Sequence, residues 1–283
     1  MFEKFRDLFL RELGIQFERH RRYFIDKRVA RRMQATGCET EEDYYRYLMA
    51  DRSGEELQAL VNEVTVNETY FYRESYHLDA LVKNILPELA ERRRVPGAPA
   101  LRIASIGCST GEEPYSVAMH LLEEWPSVDR HSVEILATDV DTRALEAARE
   151  GIYRRRALRA LPERFQQRYF ADLDEDRVRI IPALRGSVDF RYANLNTDDW
   201  LDEFGQFDIV FCRNLLIYFS DETRREAALR LFRALRPGGY LCLGHSESMQ
   251  RIAPEFIGRH WPDAVVYQRP ENGDQGGGTG KVA

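Results

Sequence analysis

Leu101-Arg102-Ile103-Ala104-Ser105-Ile106-Gly107-Cys108-Ser109-Thr110-Gly111-Glu112-Glu113-Pro114 is the stretch that decides the fold. An apolar run ends in a turn with two glycines, and a helical stretch from about Glu112 to Trp125 starts directly after it. This is a strand passing through a tight turn into a helix, the first unit of an α/β sheet. Such sheets bind ligands outside the carboxyl ends of their strands, where the first turn brings backbone close to the ligand. The turn lacks the G-x-G-x-x-G spacing, and its two acids at the helix start would repel an anionic pyrophosphate. They favour a cationic ligand instead, such as one bearing an ammonium group and a sulfonium. The plainer alternative is that Glu112 and Glu113 only complement the helix dipole.

The following strand supplies a partner for the turn. Asp139 comes directly after Val133-Glu134-Ile135-Leu136-Ala137-Thr138, so it is expected at that strand's carboxyl end, where an acid can accept both hydroxyls of a ribose. Turn and acid together fit a nucleoside and favour S-adenosylmethionine over a dinucleotide, although a dehydrogenase would carry the same acid.

Outward from this pair, strands at Phe207 to Cys212 and Tyr240 to Leu243 alternate with helices around Thr142 to Glu150 and Glu222 to Leu235. The alternation predicts a parallel sheet covered on both faces. Asp141 is placed to cap the second helix, and Pro237-Gly238-Gly239 to stop the last one and turn into the following strand. Residues 151–192 break the pattern with extra charge and two β-like pieces, Val178 to Ile181 and Val188 to Tyr192, and read as an inserted β-subdomain. Residues 1–90 carry helical periodicity, with Ile25, Val29 and Met33 sharing a face, and predict an all-helical domain. A Pro/Gly connector at 91–99 separates it from a sheet domain at 100–270, and 271–283 reads as a flexible glycine-rich tail.

Composition bounds the function. The 283 residues are 43% hydrophobic, which suffices for a core, and a net charge of −6 leaves no polycationic character for nucleic acid. No apolar run approaches about 18 residues, so neither a membrane span nor a signal-peptide core is expected, and the chain reads as cytoplasmic. Cys38, Cys108, Cys212 and Cys242 lie far apart without a C-x-x-C pair, which predicts buried thiols and neither disulfides nor a metal site.

Several motifs then resemble one family. Asn67-Glu68-Thr69-Tyr70-Phe71-Tyr72-Arg73-Glu74, Gly111-Glu112-Glu113-Pro114-Tyr115-Ser116, Phe207-Asp208-Ile209-Val210-Phe211-Cys212-Arg213-Asn214 and Gly244-His245-Ser246-Glu247-Ser248 look, in this order, like the CheR-type chemotaxis receptor methyltransferases. The resemblance spans roughly residues 10–270. It implies a helical domain followed by a Rossmann-like class I methyltransferase sheet with a small antiparallel insertion. The implied enzyme transfers the methyl group of S-adenosylmethionine to glutamate carboxylates on the cytoplasmic helices of chemoreceptors, leaving methyl esters and S-adenosylhomocysteine. It further implies that Asn67, Thr69 and Arg73 reach over the cofactor. Glu112 and Asp139 would hold its polar groups beside Gly107, with Asn194, Leu195, Arg213 and Asn214 lining the adenine and active-site side.

A glutamate carboxylate, with a reference pKa of about 4.3, is already ionised and needs no general base, so catalysis should rest on alignment and on orienting the acceptor. Arg73, Arg213, the Tyr218 hydroxyl and an arginine of 92–94 are the candidates for orienting it. Cys212-Arg213-Asn214-Leu215 also replaces the Asn/Asp-Pro-Pro-aromatic turn of many amino-methylating enzymes, which suits an acidic substrate. On the helix around Tyr23 to Met33, Arg21, Lys27, Arg28, Arg31 and Arg32 gather away from the apolar stripe and would dock acidic receptor helices. Some family members tether a receptor tail peptide through a glycine-bearing loop in the insertion. Here the corresponding segment, Phe170 to Arg177, is acidic and glycine-free, so independence of such a peptide is expected. A monomer is expected, with no membrane insertion. The alternatives are another S-adenosylmethionine-dependent methyltransferase, or a non-catalytic scaffold that senses this cofactor.

Overall fold

The computed structural model describes residues 1–92, 99–261 and 264–271. Most of the expected connector and tail therefore lies outside the described residues. Helices α1 (Phe2–Leu13), α2 (Arg22–Thr36), α3 (Glu41–Ala50) and α4 (Glu55–Val64) come first, and α5 (Tyr76–Ala80) runs through a π-helical turn at Leu81–Ile85 into α6 (Leu86–Arg92). The sheet region follows as β1 (Leu101–Ile106), α7 (Glu112–Glu124), β2 (Val133–Asp139), α8 (Thr142–Glu150) and β3 (Ile152–Arg154). Next come α9 (Glu163–Tyr169), β4 (Phe170–Asp172), β5 (Arg177–Ile180), α10 (Pro182–Arg185), β6 (Val188–Tyr192) and α11 (Asp199–Phe204). The chain continues through β7 (Phe207–Cys212), α12 (Asp221–Ala234), β8 (Leu235–Leu243), α13 (Met249–Ile252), β9 (Ile257–Trp261) and β10 (Ala264–Gln268).

The main sheet has the order β6-β2-β1-β7-β8-β10-β9. Its first five strands are parallel, β10 runs antiparallel to β8, and β9, antiparallel to β10, returns to the direction of the first five, which fits the class I methyltransferase expectation. Strand order reverses between β1 and β7, which puts a crevice at their carboxyl ends. Asp141 caps α8, accepting from the backbone N–H groups of Arg143 (3.0 Å) and Ala144 (3.1 Å).

Four expectations need correction. Val188–Tyr192 is not part of the insertion: it pairs in parallel with β2 as the edge of the main sheet, while the insertion is the small antiparallel sheet β3-β5-β4. A short β-type run does not reveal which strand it will pair with. Pro237-Gly238-Gly239 does not precede the last parallel strand but lies within it, because β8 starts at Leu235 and absorbs these residues in a register shift opposite β7.

The third correction moves the domain boundary. The buried side chains of residues 2–64 form their own core, whereas Phe71, Leu78, Leu81, Ile85 and Leu89 pack into the core of the main sheet. Helical periodicity predicts helix throughout 1–90, but residues 65–75 are coil and turn, α5 starts only at Tyr76, and periodicity does not say which core a helix covers. The break therefore falls near residue 65. Lastly, Cys108, Cys212 and Cys242 are buried and free as expected, but Cys38 is only half-buried.

The expected docking face is also divided. Exposed Arg21 and Lys27 face outward, and Arg31, also exposed, pairs with Glu63 of α4 (3.3 Å). Arg28 instead stacks on Phe24 and donates to the Glu63 carbonyl (3.1 Å), and Arg32 forks onto the buried Glu56 carboxylate at 3.0 and 2.7 Å. Tyr44 donates its hydroxyl to the same carboxylate (2.7 Å). The arginines of α2 that face α4 are taken up by packing between the two helices. Arg32→Ala is accordingly expected to cost about 2 kcal/mol in a urea melt, because it leaves Glu56 buried without its cation. A loss below about 0.5 kcal/mol would class the pair with ordinary surface ion pairs.

Candidate functional site

Two adjoining cavities open at the carboxyl ends of β1 and β7. The first, about 250 Å3, is bordered by Asp139, Asn194, Leu195, Phe17 and Phe24 among others. The second, about 110 Å3, is bordered by Thr69, Arg73, Cys108 and Glu113. Gly107, Ser109, Arg213, Asn214, Ile217 and Tyr218 border both and form the wall between them.

The first turn is shaped by what a side chain would strike. Gly107 has φ 75°, and a Cβ there would lie 3.0 Å from Leu215 Cδ2; Gly111 has φ 92°, and a Cβ there would lie 2.9 Å from the Ala148 Cβ. Among the described residues four that are not glycine have positive φ: Tyr72, Glu74, Ser109 and Asn214. Ser109 and Asn214 lie in the shared wall, and Tyr72 and Glu74 flank Arg73. Backbone strain is thus concentrated around the cavities, where surrounding contacts must hold it.

Asp139 is fixed by two backbone donors, Ser109 N–H (2.7 Å) and Asp141 N–H (2.8 Å). Burial pushes its carboxyl up to about 6, against the lowering effect of those donors. Asn67 ties the segment after α4 to the ends of β1 and β2: its amide donates to Asp141 (2.8 Å) and its carbonyl oxygen accepts from the Ser109 hydroxyl (2.8 Å). Asn194 donates to the Glu12 carbonyl at the end of α1 (2.7 Å). The chain after α1 continues this wall, with Gln16 N–H donating to the Tyr218 carbonyl (2.9 Å) beside a bridge between Ile15 and Phe219. The helical region therefore closes one side of the first cavity.

The floor of the second cavity is an ion cluster. The side chain of Arg213, only 4% exposed, lies 3.1 Å from Glu113 and 3.4 Å from Glu74, and it also donates to the Arg73 carbonyl. Burial raises Glu113 despite the arginine. In Glu74 burial is outweighed by a hydrogen bond from His245 (2.8 Å) and the Arg213 charge, which together hold it below the usual range. Arg73 has no such carboxylate clamp: its Nη1 donates to the Glu68 carbonyl at 2.8 Å.

Asn67, Thr69, Arg73, Gly107, Asp139, Asn194, Leu195, Arg213, Asn214 and Tyr218 all border one cavity or the other. Glu112 borders neither. It is buried at the start of α7 and accepts from the Thr110 hydroxyl (2.6 Å), leaving its neighbour Glu113 to face the second cavity. Residue spacing alone did not distinguish the two acids. Arg21, assigned to docking, borders the first cavity. Arg92 pairs with Glu88 and Glu271, and Arg93 and Arg94 lie outside the described residues. Glu74 and Glu247 also sit in the family-like motifs, and their partners, the Arg213 guanidinium and the Asn214 backbone N–H, are set by tertiary contacts that residue spacing does not show. Among the described residues no group of three or more His, Cys, Asp or Glu is arranged to hold a metal ion, and no helix is long and apolar enough to cross a membrane.

The residues present fit S-adenosylmethionine. A buried carboxylate faces the larger cavity, whose apolar end suits an adenine, and the adjoining smaller cavity has acids in its floor and a guanidinium on its wall. Comparison with known proteins agrees. Residues 1–65 match the all-alpha domain of CheR methyltransferases and residues 67–261 their SAM-binding domain, a division that coincides with the two cores. The chain is 43% identical over 272 residues to chemotaxis protein methyltransferase 2 of Vibrio cholerae serotype O1, covering 96% of this chain and 93% of the relative. It is 35% identical to chemotaxis protein methyltransferase 1 of Pseudomonas aeruginosa (94% and 97% covered) and 34% identical to the chemotaxis protein methyltransferase of Escherichia coli K12 (90% and 86%).

Proposed function

The chain belongs to the CheR methyltransferase family, an S-adenosylmethionine-dependent one, and from this premise we propose that it methylates glutamate side chains on the cytoplasmic helices of chemoreceptors. The observation that carries the proposal is the pair of adjoining cavities, with Asp139 in one, Arg73 in the other and Tyr218 between them.

Bound S-adenosylmethionine would supply a methyl group on a positively charged sulfur. Asp139 would hold the ribose hydroxyls, Leu195 and the apolar wall would cover the adenine, and Asn214 and Gly107 offer amide and backbone groups where the cavities meet. An incoming glutamate is ionised at neutral pH, so no residue has to remove a proton from it. What remains is to orient the carboxylate and exclude water. Arg73 and the Tyr218 hydroxyl do this from the walls of the second cavity, and alignment of this kind is worth up to about 7 to 11 kcal/mol. Arg213 has a different part. With two carboxylates beside it, it is no free cation for a substrate, and it holds the backbone of Arg73 in place instead.

Exposed Lys27 on α2 and Arg21 just before it are the cations that remain to meet an acidic receptor helix, joined at the rim by Arg31, which is already paired with Glu63 (3.3 Å). The hairpin between β4 and β5 is closed by Asp174, which accepts from Asp176 N–H (3.1 Å) and Arg177 N–H (2.8 Å), and its acidity supports independence of a receptor tail peptide. The protein is taken to act as a cytoplasmic monomer without a nucleic-acid partner.

The test is incubation with methyl-labelled S-adenosylmethionine and receptor cytoplasmic fragments. The label should enter the receptor and leave as methanol in alkali, at a rate that excess receptor tail peptide does not change. Alkali-stable label would mean methylation at nitrogen, and inhibition by the peptide would restore tethering.

A further inference from the structure

We propose that Glu247 is the positioning residue of the catalytic loop after β7, acting through backbone groups and not on substrate. This inference rests on the methyltransferase reading of the site. Glu247 borders neither of the two adjoining cavities, yet its carboxylate reaches across to the loop that borders both. One oxygen accepts from the backbone N–H groups of Asn214 (2.8 Å) and Gly244 (2.8 Å), and the other from that of Leu216 (2.8 Å). Glu247 itself is held in a turn, its own N–H donating to the Gly244 carbonyl (2.9 Å).

What the carboxylate holds is the segment that needs holding. Asn214 has φ 59°, a left-handed conformation that a side chain disfavours, and a charged acceptor on its N–H offsets that cost. The same loop carries Arg213, Asn214, Ile217 and Tyr218, all four of which line both cavities. Gly244 completes the arrangement, since a Cβ there would lie 2.5 Å from Asn214 Nδ2 and 2.9 Å from the Glu247 carboxylate. Backbone of Gly244, amide of Asn214 and carboxylate of Glu247 thus form one close-packed unit beneath the shared wall. A transfer that depends on alignment loses about 100-fold for a displacement of about 1 Å, so a loosened loop should reduce turnover more than it reduces acceptor binding.

The experiment uses the full chain with E247Q, E247D and G244A, measuring S-adenosylhomocysteine affinity by calorimetry and methyl transfer to receptor fragments per binding site. Glutamine keeps the shape but turns its NH2 towards at least one of the three backbone donors and removes the charge from the acceptor. Expected for E247Q are a melting temperature close to wild type, affinity weaker by about tenfold, kcat lower by about 30- to 100-fold and receptor KM within about threefold. E247D, which keeps the charged acceptor, should lie between E247Q and wild type. The proposal is overturned if E247Q retains affinity and kcat within threefold. It is equally overturned if E247Q loses only stability while kcat per binding site stands, or if E247D is no better than E247Q. Should E247Q fail to fold, G244A carries the test with the same expected split, and wild-type behaviour there counts against the proposal. Affinity needs no receptor, so a wild type that binds the product but methylates no receptor sinks the substrate reading alone.

Discussion

Asp139→Ala is expected to weaken S-adenosylhomocysteine binding by at least about 100-fold, measured by calorimetry on protein whose melting curve is near wild type. The carboxylate sits at the carboxyl end of β2, almost wholly buried, with Ser109 and Asp141 N–H groups fixing its orientation and the larger cavity before it. Hydrogen bonds to a charged group are worth about 1.5 to 3 kcal/mol each, and a ribose offers two hydroxyls to one carboxylate. Because burial pushes the group up to about 6, a pH dependence follows with a definite sign. The protonated acid cannot accept both hydroxyls, so ligand binding favours the ionised form and lowers the pKa. Affinity must therefore fall as pH drops below about 6 and level off above it. Asp139→Asn keeps one acceptor and has no proton to lose, so it should bind with intermediate strength and without that pH step. A pH step that survives in the asparagine variant would assign it to another group, such as Glu113, which burial raises at the edge of the adjoining cavity.

How much of this was legible in the sequence depended on the range of the interaction. The β1 turn and Asp139 lie in short stretches with their own period and punctuation, and that Gly107 and Asp139 would border one cavity was legible before any tertiary information. Strand partners did not show in the same way. Val188–Tyr192 reads as a β-run in either sheet, and only the pairing with β2 makes it part of the main one. The arginines of α2 failed for a related reason: a helical wheel separates charged from apolar sides, but which of the charges meet an acid on α4 depends on how the two helices pack. Glu112 and Glu113 were likewise equivalent by spacing, and the direction of α7 over β1 decided between them. Glu247 stood in a quoted motif, yet its partners are backbone N–H groups up to 33 residues away, and a backbone donor leaves no mark in the sequence.

Arg73→Ala is expected to lower kcat by about 100- to 1,000-fold while changing S-adenosylhomocysteine affinity by only a few-fold. The candidate arginines differ in what already holds them. Arg213 is enclosed by Glu74 and Glu113, Arg92 is paired, and Arg93 and Arg94 lie outside the described residues, whereas Arg73 borders the smaller cavity and donates to the Glu68 backbone carbonyl. The segment that carries it is held in left-handed backbone on both sides, at Tyr72 and Glu74, and from below by the Arg213 guanidinium on its carbonyl. That arrangement fixes the fork of Arg73 before a substrate arrives, which is how an orienting group lowers a barrier without tightening the ground state. Lysine offers a point charge in place of a planar fork, so Arg73→Lys should recover less than about a tenth of the lost rate. Tyr218→Phe, which removes one hydroxyl from the shared wall, should cost about tenfold. If Arg73→Ala instead raised the receptor KM with kcat intact, the guanidinium would be part of the docking surface, and alignment would have to be assigned to Tyr218 and the loop beneath it.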